Sequence, residues 1–331
     1  MSNITLSEVA KVANVSTNTV SRALNGKPDI SPKTKKRILR IAEDLGYVLN
    51  FPAKSLRSRK TATIGVIVTD ISNPFSATVV KGIQDVAWSR NYNVILCDSR
   101  GRYDRERQSI KMLFQNRVDG LLLRPIEEKL LDIQMLHKQA IPFVLIEGYF
   151  SSVNTDSVVS DWVLGGFLAT DHLIKKGHKR ILYVNGPSYA ANAYQRFIGY
   201  KSGLRQSGIR FDESLVKATD GTMQYSYQLM KKTLSDKLDF TAVFAFSDYL
   251  AAGCIKALKE SGLKIPKDVA VVGHDDIEFA AVMEPPLTTV HIPRHQLGKK
   301  AAEILLEKIS GNYKGPHTLV IKPELIVRES T

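Results

Sequence analysis

A group of polar residues near the amino terminus has the side chains that read DNA bases and contact phosphates. Asparagine can pair with adenine N6 and N7, arginine with guanine O6 and N7, and threonine can contact a thymine methyl group. Their helical spacing predicts one solvent-exposed face of a short helix, which carries Thr17, Asn18, Ser21 and Arg22. This pattern is typical of a helix that enters a DNA groove.

Residues 5–24 contain the signals of two short helices separated by a tight turn. Thr5 and Glu8 have capping-box spacing, and Asn14 can adopt the left-handed conformation that ends a helix. Ser16 is expected to cap the second helix. Two amphipathic helices joined by a turn of about three to four residues are the helix-turn-helix signature. The alternative is an ordinary helical hairpin in a larger core.

The charge of the chain is concentrated at its amino terminus. Residues 1–60 hold 12 Lys and Arg against 4 Asp and Glu, so they contribute +8 of the total +13, and the other 271 residues contribute +5. A basic head on a nearly balanced body indicates nucleic-acid binding. A solvated basic arm is the alternative, but it would not explain the helix caps and periodicity of the same segment.

Length and composition indicate a globular protein of several domains. A chain of 331 residues exceeds one hydrophobic core and suggests two or three domains. No apolar run approaches the roughly 20 residues of a membrane span, and the amphipathic N-terminus does not resemble a signal peptide. Cys97 and Cys254 lie far apart, which favours buried reduced thiols. We therefore expect a cytoplasmic protein without a membrane partner.

A third helix and a basic linker complete the amino-terminal part. The helix is expected to begin after Ser31, to run from Pro32 to Leu45, and to stop at Gly46. Residues 50–63 then read NFPAKSLRSRKTAT, which is polar, basic and too short for a domain. One helical turn is possible from Pro52 to Leu56. The expected boundaries are a helix-turn-helix domain over 1–49 and a hinge helix or linker over 50–62.

The remainder of the chain alternates apolar runs with helical patterns. The first series of runs is TIGVIVTD, NVILCD, GLLLRP, PFVLIE and SVVSD, and after residue 161 a second series reads RILYVNG, DESLVKAT, TAVFAFSD and VAVVGHDD. Buried strands that alternate with helices predict a parallel, doubly wound sheet. The fold class is therefore a small all-α head plus an α/β body of two doubly wound parallel-sheet lobes with a cleft between them.

Polar residues at the carboxyl ends of the predicted strands are the candidates for ligand binding, because ligands of these folds bind there. They comprise Asp70, Asn73, Ser99, Arg100, Arg124, Glu147, Asp161, Ser247, Asp248, His274, Asp275 and Asp276. Asp248 is instead expected to cap the helix after its strand.

Several motifs in one order resemble the lactose-repressor (LacI/GalR) family of bacterial transcriptional regulators, and the resemblance covers the whole chain. The motifs are TLSEVAKVANVSTNTVSRALNG, AKSL, NPF, GHKRILYVNG, YQRFIGY, FSDYLAAG, VAVVGHDDIEFA and PPLTTVHIPRHQLGKKA. The resemblance implies a periplasmic-binding-protein-like body. Its N-terminal lobe would comprise residues 63–160 and 292–322, and its C-terminal lobe residues 161–291 and 323–331.

The resemblance also implies which residues contact operator DNA. Thr17, Asn18 and Arg22 take the base-reading positions, and the phosphate-binding positions go to Ser16, Thr19, Ser21 and Asn25. In this family a hinge helix inserts a leucine into the minor groove and bends the duplex. The full set is Thr5, Leu6, Ser16, Thr17, Asn18, Thr19, Ser21, Arg22, Asn25, Ala53, Lys54 and Leu56, with Leu56 as the wedge. Leu49, where the family commonly has proline, and Pro52 in the first hinge turn depart from the pattern.

Arg196 and Asp275 are implied as the pair that grips a small effector, because sugar hydroxyls accept from an arginine and donate to a carboxylate. Phe75 could stack on a sugar ring or pack in the core. The effector residues implied are Asp70, Asn73, Phe75, Arg100, Arg124, Glu147, Asp161, Arg196, Ser247 and Asp275. Three positions depart from the family pattern. Ser247 stands where relatives commonly have Asn, His274 where they have Tyr or Phe, and Trp162 where they have Asn.

Arg100 and Arg124 leave the effector's charge open. Two additional cations at strand ends would suit an anionic effector such as a uronate, a keto-deoxy acid or a sugar phosphate. Alternatively, each arginine pairs with Glu147, Asp98 or a surface acid. The effector is thus a sugar or a sugar acid, and it could act as inducer or as corepressor.

Two other classes of protein, an enzyme and a solute-binding protein, would each explain only one end of the chain. An enzyme could use the carboxylates of the cleft, but the sequence has no Walker A loop, no G-x-S-x-G elbow and no His/Cys cluster at metal spacing. A solute-binding protein would carry a signal peptide in place of the basic head. We therefore predict a DNA-binding regulator, most simply a repressor, without catalytic residues, metal or cofactor. The absence of a leucine-heptad tail before Thr331 predicts a homodimer.

Overall fold

The computed structural model describes residues 4–25, 27–47, 60–127, 130–150, 153–188, 190–315 and 318–331. The chain divides into two compact units, residues Met1–Thr61 and Ala62–Thr331. Each unit is considered by itself below, as the head and the body. Among the described residues the two units contain eleven α-helices and twelve β-strands.

The head is a three-helix unit whose helices begin where the sequence predicts, and the third helix ends at Asp44, one residue before the predicted Leu45. Its helices are α1 (Leu6–Ala13), α2 (Thr17–Leu24) and α3 (Pro32–Asp44). Thr5 and Glu8 form the capping box, and Ser16 accepts a hydrogen bond from the Thr19 N–H. Asn14 is left-handed at φ 50°. A small core includes Val9, Val20 and Ile38, all fully buried. The two amphipathic helices therefore form a separate unit.

The body alternates strands and helices in the order that the sequence predicts. The strands are β1 (Thr63–Val68), β2 (Asn93–Asp98), β3 (Gly120–Leu123), β4 (Phe143–Ile146), β5 (Ser157–Ser160), β6 (Ile181–Asn185), β7 (Val216–Ala218), β8 (Ala242–Ala245), β9 (Ala270–Asp275), β10 (Thr288–His291), β11 (Thr318–Ile321) and β12 (Glu324–Ile326). The helices are α4 (Pro74–Ser89), α5 (Tyr103–Gln115), α6 (Leu130–Lys138), α7 (Trp162–Lys175), α8 (Ala191–Gln206), α9 (Met223–Ser235), α10 (Asp248–Glu260) and α11 (Arg294–Ser310).

Two six-stranded sheets form the centres of two lobes. The first sheet has the order β11-β5-β4-β3-β1-β2, and the second has the order β12-β10-β9-β8-β6-β7. All pairs are parallel except β10 with β12, which is antiparallel. The central strands are buried along their length because helices cover both faces. The predicted fold class is confirmed.

Glycines let a helix pair approach closely in each lobe. A Cβ on Gly82 of α4 would lie 2.1 Å from the His295 carbonyl oxygen of α11, and one on Gly298 would lie 2.0 Å from the Val79 oxygen. In the second lobe, a Cβ on Gly166 of α7 would lie 2.2 Å from the Arg196 oxygen of α8. Only glycine fits at such distances. The close contact at Gly166 fixes the position of α8 against α7 and therefore the position of Arg196.

The chain crosses between the sheets where strands end. It leaves the first sheet after β5, re-enters it through α11 after β10, and passes from β11 to β12 over two residues. Both cysteines are buried and unpaired, as predicted. Within the described ranges, no helix has the length and apolar character to cross a membrane.

Candidate functional site

The outer face of α2 presents the side chains that the sequence singled out. Thr17, Asn18, Arg22 and Asn25 are exposed, whereas Val20 and Ala23 face the core. The Ser16 hydroxyl is engaged in capping α2 and lies 2.9 Å from the Thr19 hydroxyl. The face therefore offers an amide, a hydroxyl and a guanidinium, which are the groups that read base edges in a major groove.

The remaining residues of the predicted DNA interface differ in their surroundings. Thr5 is exposed at the start of α1, whereas Leu6 is half-buried and packs on the head core. The Asn25 amide donates to the Ser21 carbonyl at 2.7 Å. Ala53, Lys54 and Leu56 lie outside the described residues, as do Leu49 and Pro52, so the hinge helix and its wedge stay predictions.

In the body, α8 and the carboxyl ends of β8 and β9 bring Arg196, Phe246 and Asp275 together in a buried charged cluster. The Arg196 guanidinium donates from Nη1 to the Phe246 carbonyl at 2.6 Å and from Nη2 to Asp275 Oδ1 at 3.3 Å. It also stacks over the Phe246 ring, 4.4 Å from the centroid. Arg196 is 2% exposed and Asp275 6% exposed. Sequence reasoning placed Arg196 and Asp275 together, and the structure brings them into contact.

His274 supports Asp275 from behind. Its Nδ1 lies 3.0 Å from Asp275 Oδ1, and its ring is fully buried. Burial and the neighbouring Arg196 lower the pKa of His274 to about 4, although Asp275 opposes the shift. The neutral ring therefore donates from Nδ1 to the carboxylate at physiological pH. Gly165 of α7 makes room for the other edge of the ring, because a Cβ there would lie 2.6 Å from Nε2.

The pKa of Asp275 reflects two opposing effects. Burial raises it, but Arg196 and the hydrogen bond from His274 outweigh burial, so the pKa lies below its usual value. Asp275 is therefore ionised, and its Oδ1 is shared between Arg196 and His274. Its φ of 105° is in the left-handed region, a backbone conformation that is commonly found at functional sites.

The first lobe contributes a carboxylate with a different task. Glu147 Oε1 accepts from the Ser160 N–H at 2.7 Å and from the Ser160 hydroxyl at 2.6 Å, and Oε2 accepts from Trp162 Nε1 at 2.7 Å. Glu147 is 6% exposed, and its φ is 53°. It therefore fixes the Trp162 indole and the chain between β5 and α7, which is a positioning role.

Arg124 is the cation of the first lobe. Its guanidinium carbon lies 4.9 Å from the centroid of the Phe75 ring, and Nη1 lies 3.4 Å from the Ser76 hydroxyl. Burial lowers the pKa of Arg124, while Glu147 and Asp275 oppose that effect. Asp275 belongs to the second sheet, so charges of both lobes influence the pKa of Arg124. Phe75 itself is buried in the core, and the cation at its ring is Arg124.

The other predicted site residues have mainly local roles. Asn73, Asp161 and Ser247 cap α4, α7 and α10, respectively. Asp70 accepts from the Ser72 N–H and hydroxyl. Arg100 is exposed and left-handed at φ 50°, and its backbone N–H, rather than its guanidinium, contacts Asp98.

Asp248 does not cap α10, contrary to the sequence-based expectation. Ser247 is the cap, and the buried Asp248 carboxylate instead accepts from the Ile277 N–H at 2.8 Å and from the Thr289 hydroxyl. Burial and Asp275 raise its pKa well above the usual value, although the two hydrogen bonds oppose the shift. Asp248 therefore ties the ends of β9 and β10 together.

Two residues near Arg196 were missed from the sequence. Phe246 supplies both a carbonyl and a ring to the guanidinium. Asn192 is 8% exposed and precedes Arg196 by one helical turn, so both lie on one face of α8. The spacing of four residues was the signal that could have identified Asn192. Among the described residues, no group of three or more His, Cys, Asp or Glu could hold a metal ion.

Together, the fold and the two sites define a class: a protein with a DNA-binding helix-turn-helix head and a two-lobed α/β body. Family models agree with both parts. One described as bacterial regulatory proteins, lacI family, matches residues 5–50, and one for a periplasmic binding protein-like domain matches residues 170–331. The chain belongs to the lacI family of bacterial regulatory proteins, and its relatives include transcriptional repressors.

Relatives match over nearly the whole chain. The repressor PurR of Photobacterium profundum is 33% identical over 98% of both chains, and the ribose operon repressor of Haemophilus influenzae is 34% identical over 98% of both. A lac repressor dimer bound to operator and the anti-inducer ONPF superposes with a TM-score of 0.91 at 25% identity, covering 99% of both chains.

Two solved structures of similar proteins hold a sugar. The CelR–cellobiose complex has a TM-score of 0.76 and 33% identity, and the match covers 99% of this chain and 100% of that one. A LacI family regulator from Enterococcus faecium with bound ribose has a TM-score of 0.74 and 32% identity, covering 81% of this chain and 98% of that one.

Proposed function

We propose that this chain is a transcriptional repressor whose affinity for operator DNA is set by a sugar or sugar acid bound between the two lobes. The observation that carries the proposal is the buried contact between Arg196 and Asp275 at the carboxyl end of β9, with Arg124 at the carboxyl end of β3 in the other lobe. The proposal includes the predicted boundaries: head 1–49, hinge 50–62, N-terminal lobe 63–160 and 292–322, and C-terminal lobe 161–291 and 323–331.

The DNA part of the proposal rests on the exposed face of α2. Asn18 and Arg22 lie four residues apart on that face, a spacing that places both side chains on the same side of the helix. Thr17 stands beside them, while Ser16, Thr19, Ser21 and Asn25 are the proposed phosphate contacts. Thr5, Leu6 and the hinge residues Ala53, Lys54 and Leu56 complete the proposed interface.

The effector part rests on a cleft with balanced charge. Arg196 and Arg124 supply guanidinium donors. Asp275 Oδ2 adds a hydrogen-bond acceptor, and the Asn192 amide adds both a donor and an acceptor. Trp162, held by Glu147, and Phe246 supply aromatic surface. This combination suits a polyol, and relatives hold ribose or cellobiose. The other predicted effector residues mainly support the backbone around the proposed cleft: they are Asp70, Asn73, Phe75, Arg100, Asp161 and Ser247.

A homodimer is part of the proposal because each lobe exposes apolar side chains. Leu96 lies on β2, the edge strand of the first sheet, and Trp88 of α4 is 85% exposed. In the second lobe, Phe279 and Val282 are 60% and 77% exposed. Such residues are typical of protein interfaces. Two copies would place two heads on a palindromic operator.

The test uses the full-length chain and four probes: D-ribose, cellobiose, D-glucuronate and ribose 5-phosphate. We expect at least one to raise the melting temperature and to change affinity for a duplex selected from a random library. Asp275→Asn should weaken that probe's binding by about one to two decades, since it removes a charged hydrogen-bond acceptor. A wild-type response from Asp275→Asn, or no response of the chain to any sugar or sugar acid, would contradict the proposal.

Arg124→Ala and Arg100→Ala then decide the effector's charge. With an anionic probe, loss of Arg124 should weaken binding as strongly as Asp275→Asn, because it removes a half-buried guanidinium that would pair with the anion. Arg100→Ala is the matched control: it removes the same charge from an exposed strand end. With a neutral sugar, Arg124→Ala should weaken binding by less than about tenfold, because it removes a donor to an uncharged hydroxyl. Arg100→Ala should bind within about threefold of wild type, since a surface charge contributes little.

A further inference from the structure

An ion pair in the head joins a proposed base-reading arginine to an acid outside the reading helix. Asp29 Oδ2 lies 2.6 Å from both Nε and Nη2 of Arg22. Residues 1–60 hold four carboxylates. Glu8 belongs to the capping box, and Glu43 and Asp44 lie at the end of α3. Asp29 is thus the carboxylate that contacts the reading face of α2.

The segment that carries Asp29 is held at both ends. The Lys27 N–H donates to the Arg22 carbonyl at 3.1 Å, directly beyond the end of α2. Ile30 packs against the head core, and Ser31 caps α3. Asp29 therefore has a defined position relative to Arg22, although both side chains are 46% exposed.

The geometry leaves the reading edge of the guanidinium open. Arginine has five N–H donors in a planar fork. Asp29 occupies the side formed by Nε and Nη2, while the end formed by Nη1 and Nη2 is the edge that fits guanine O6 and N7. Arg22 can therefore bind Asp29 and a guanine at the same time.

We infer that Asp29 is a specificity-determining residue that positions Arg22 for a guanine and keeps it from phosphates. This inference rests on the proposed repressor function. The ion pair restricts Arg22 to one orientation, so less freedom is lost when it meets a base. The carboxylate also neutralises Arg22 and repels phosphate oxygens, which removes one sequence-independent contact. Asp29 thus favours base reading over non-specific binding.

The experiment begins with the full-length wild-type chain and a randomised duplex library. The enriched duplex should be palindromic, and one guanine in each half-site should lose its importance in Arg22→Ala. Changing that guanine should weaken wild-type binding about 5- to 150-fold. If no palindrome is enriched, the proposed function fails, and this inference fails with it. If a palindrome is enriched, the variants below test Asp29 alone.

Asp29→Ala should reduce discrimination at that guanine by about threefold or more. It should also tighten binding to random DNA. The slope of log affinity against log salt concentration should become steeper by about 0.9, the value for one added phosphate contact. Glu43→Gln is the matched control, since it removes the same charge from the exposed end of α3. It should leave discrimination unchanged. Circular dichroism and melting confirm that each variant folds.

The double variant shows whether Asp29 acts through Arg22. In an Arg22→Ala background, Asp29→Ala should no longer change discrimination at the guanine. Equal effects of Asp29→Ala with and without Arg22 would overturn the inference, as would equal profiles for Asp29→Ala and Glu43→Gln. Asp29→Asn, which keeps an acceptor but not the charge, should retain part of the discrimination and still show the steeper salt slope.

Discussion

The two lobes share a scaffold but hold their charged residues differently. Both have a six-stranded sheet and a helix pair that meets at glycines. In the second lobe, Arg196, Asp275 and His274 form a continuous buried network. In the first lobe, both carboxylate oxygens of Glu147 accept hydrogen bonds, from Ser160 and from Trp162. Arg124 makes a long contact with Ser76 and stacks on Phe75.

Under the proposed function, this difference predicts different tasks for the two lobes in ligand binding. A buried network keeps its geometry without a ligand, so the second lobe offers a preformed half-site. Arg124 has fewer direct partners and can adjust when a ligand enters. The lobes can then close on a ligand that contacts both, and a ligand changes DNA affinity only as far as it binds the two states differently.

The largest effect that we predict comes from breaking the network of the second lobe. Asp275→Ala should lower the free energy of unfolding by about 3–5 kcal/mol, because it leaves the buried Arg196 charge without its carboxylate. Chemical denaturation of the full-length chain at neutral pH measures this loss. The unfolding transition of the body gives the value, since the head forms a separate unit.

Arg124→Ala is the matched change in the first lobe. It should cost about 1 kcal/mol or less, since the charges of Glu147 in the same lobe and Asp275 in the second lobe act on Arg124 without a direct ion pair, and its polar contact with Ser76 is long, at 3.4 Å. Equal losses for Asp275→Ala and Arg124→Ala would mean that the two half-sites are equally preformed. That outcome would contradict the comparison of the lobes.

An effect smaller than that of Asp275→Ala should come from the glycines at which the helix pair of each lobe meets. Gly166→Ala and Gly82→Ala each place a methyl group against a backbone oxygen, at 2.2 Å and 2.1 Å, respectively. Each should destabilise the body by about 1–3 kcal/mol through overpacking. Only Gly166→Ala should also weaken effector binding, because the oxygen that it displaces belongs to Arg196. Denaturation and ligand titration measure the two effects. Similar ligand affinity of both variants would contradict the assignment.

Much of the fold was predictable because local signals agreed with it. The apolar runs that predicted strands are observed as β1–β9, and the caps at Thr5, Ser16 and Ser31 begin their helices. β10, β11 and β12 have three or four residues each. β3, β4, β5, β7 and β8 are equally short, so length does not explain why these three strands were not recognised. No α-helix separates β9 from β10 or β11 from β12, so they fall outside the alternation of strands and helices that marked most of the others.

The site was predictable only in part, because its contacts join distant segments. Family resemblance placed Arg196 and Asp275 in one site, where they lie in contact. The use of Glu147 to hold Trp162 depends on the turn after β4, and the role of Asp248 depends on the loop after β9. No local pattern encodes such pairings. The ion pair between Arg22 and Asp29 was missed for the same reason, since a turn intervenes.

The smallest effect that we predict concerns pH and two aspartates of the second lobe. The pKa of Asp275 is lowered, so its contribution to stability is present above its ordinary pKa of 3.8 and is lost as pH falls. The pKa of Asp248 is raised, so its contribution is greatest below pH 3.8 and declines as pH rises toward the folded-state value. The two residues should therefore have opposite pH profiles.

Asp248→Asn tests this difference while preserving the local contacts. The amide oxygen can accept from the Ile277 N–H, and the amide nitrogen can donate to the Thr289 hydroxyl. The variant should match or exceed wild-type stability at pH 7, within about 1 kcal/mol, and its relative stability should rise between pH 4 and pH 7. Asp275→Asn should instead show a nearly constant loss of stability over this range, because the wild-type carboxylate is already ionised and paired above pH 3.8, and the loss should shrink only as the pH falls below that value. Denaturation at several pH values measures both profiles, and parallel profiles would show that the buried Asp248 is paired as effectively as Asp275.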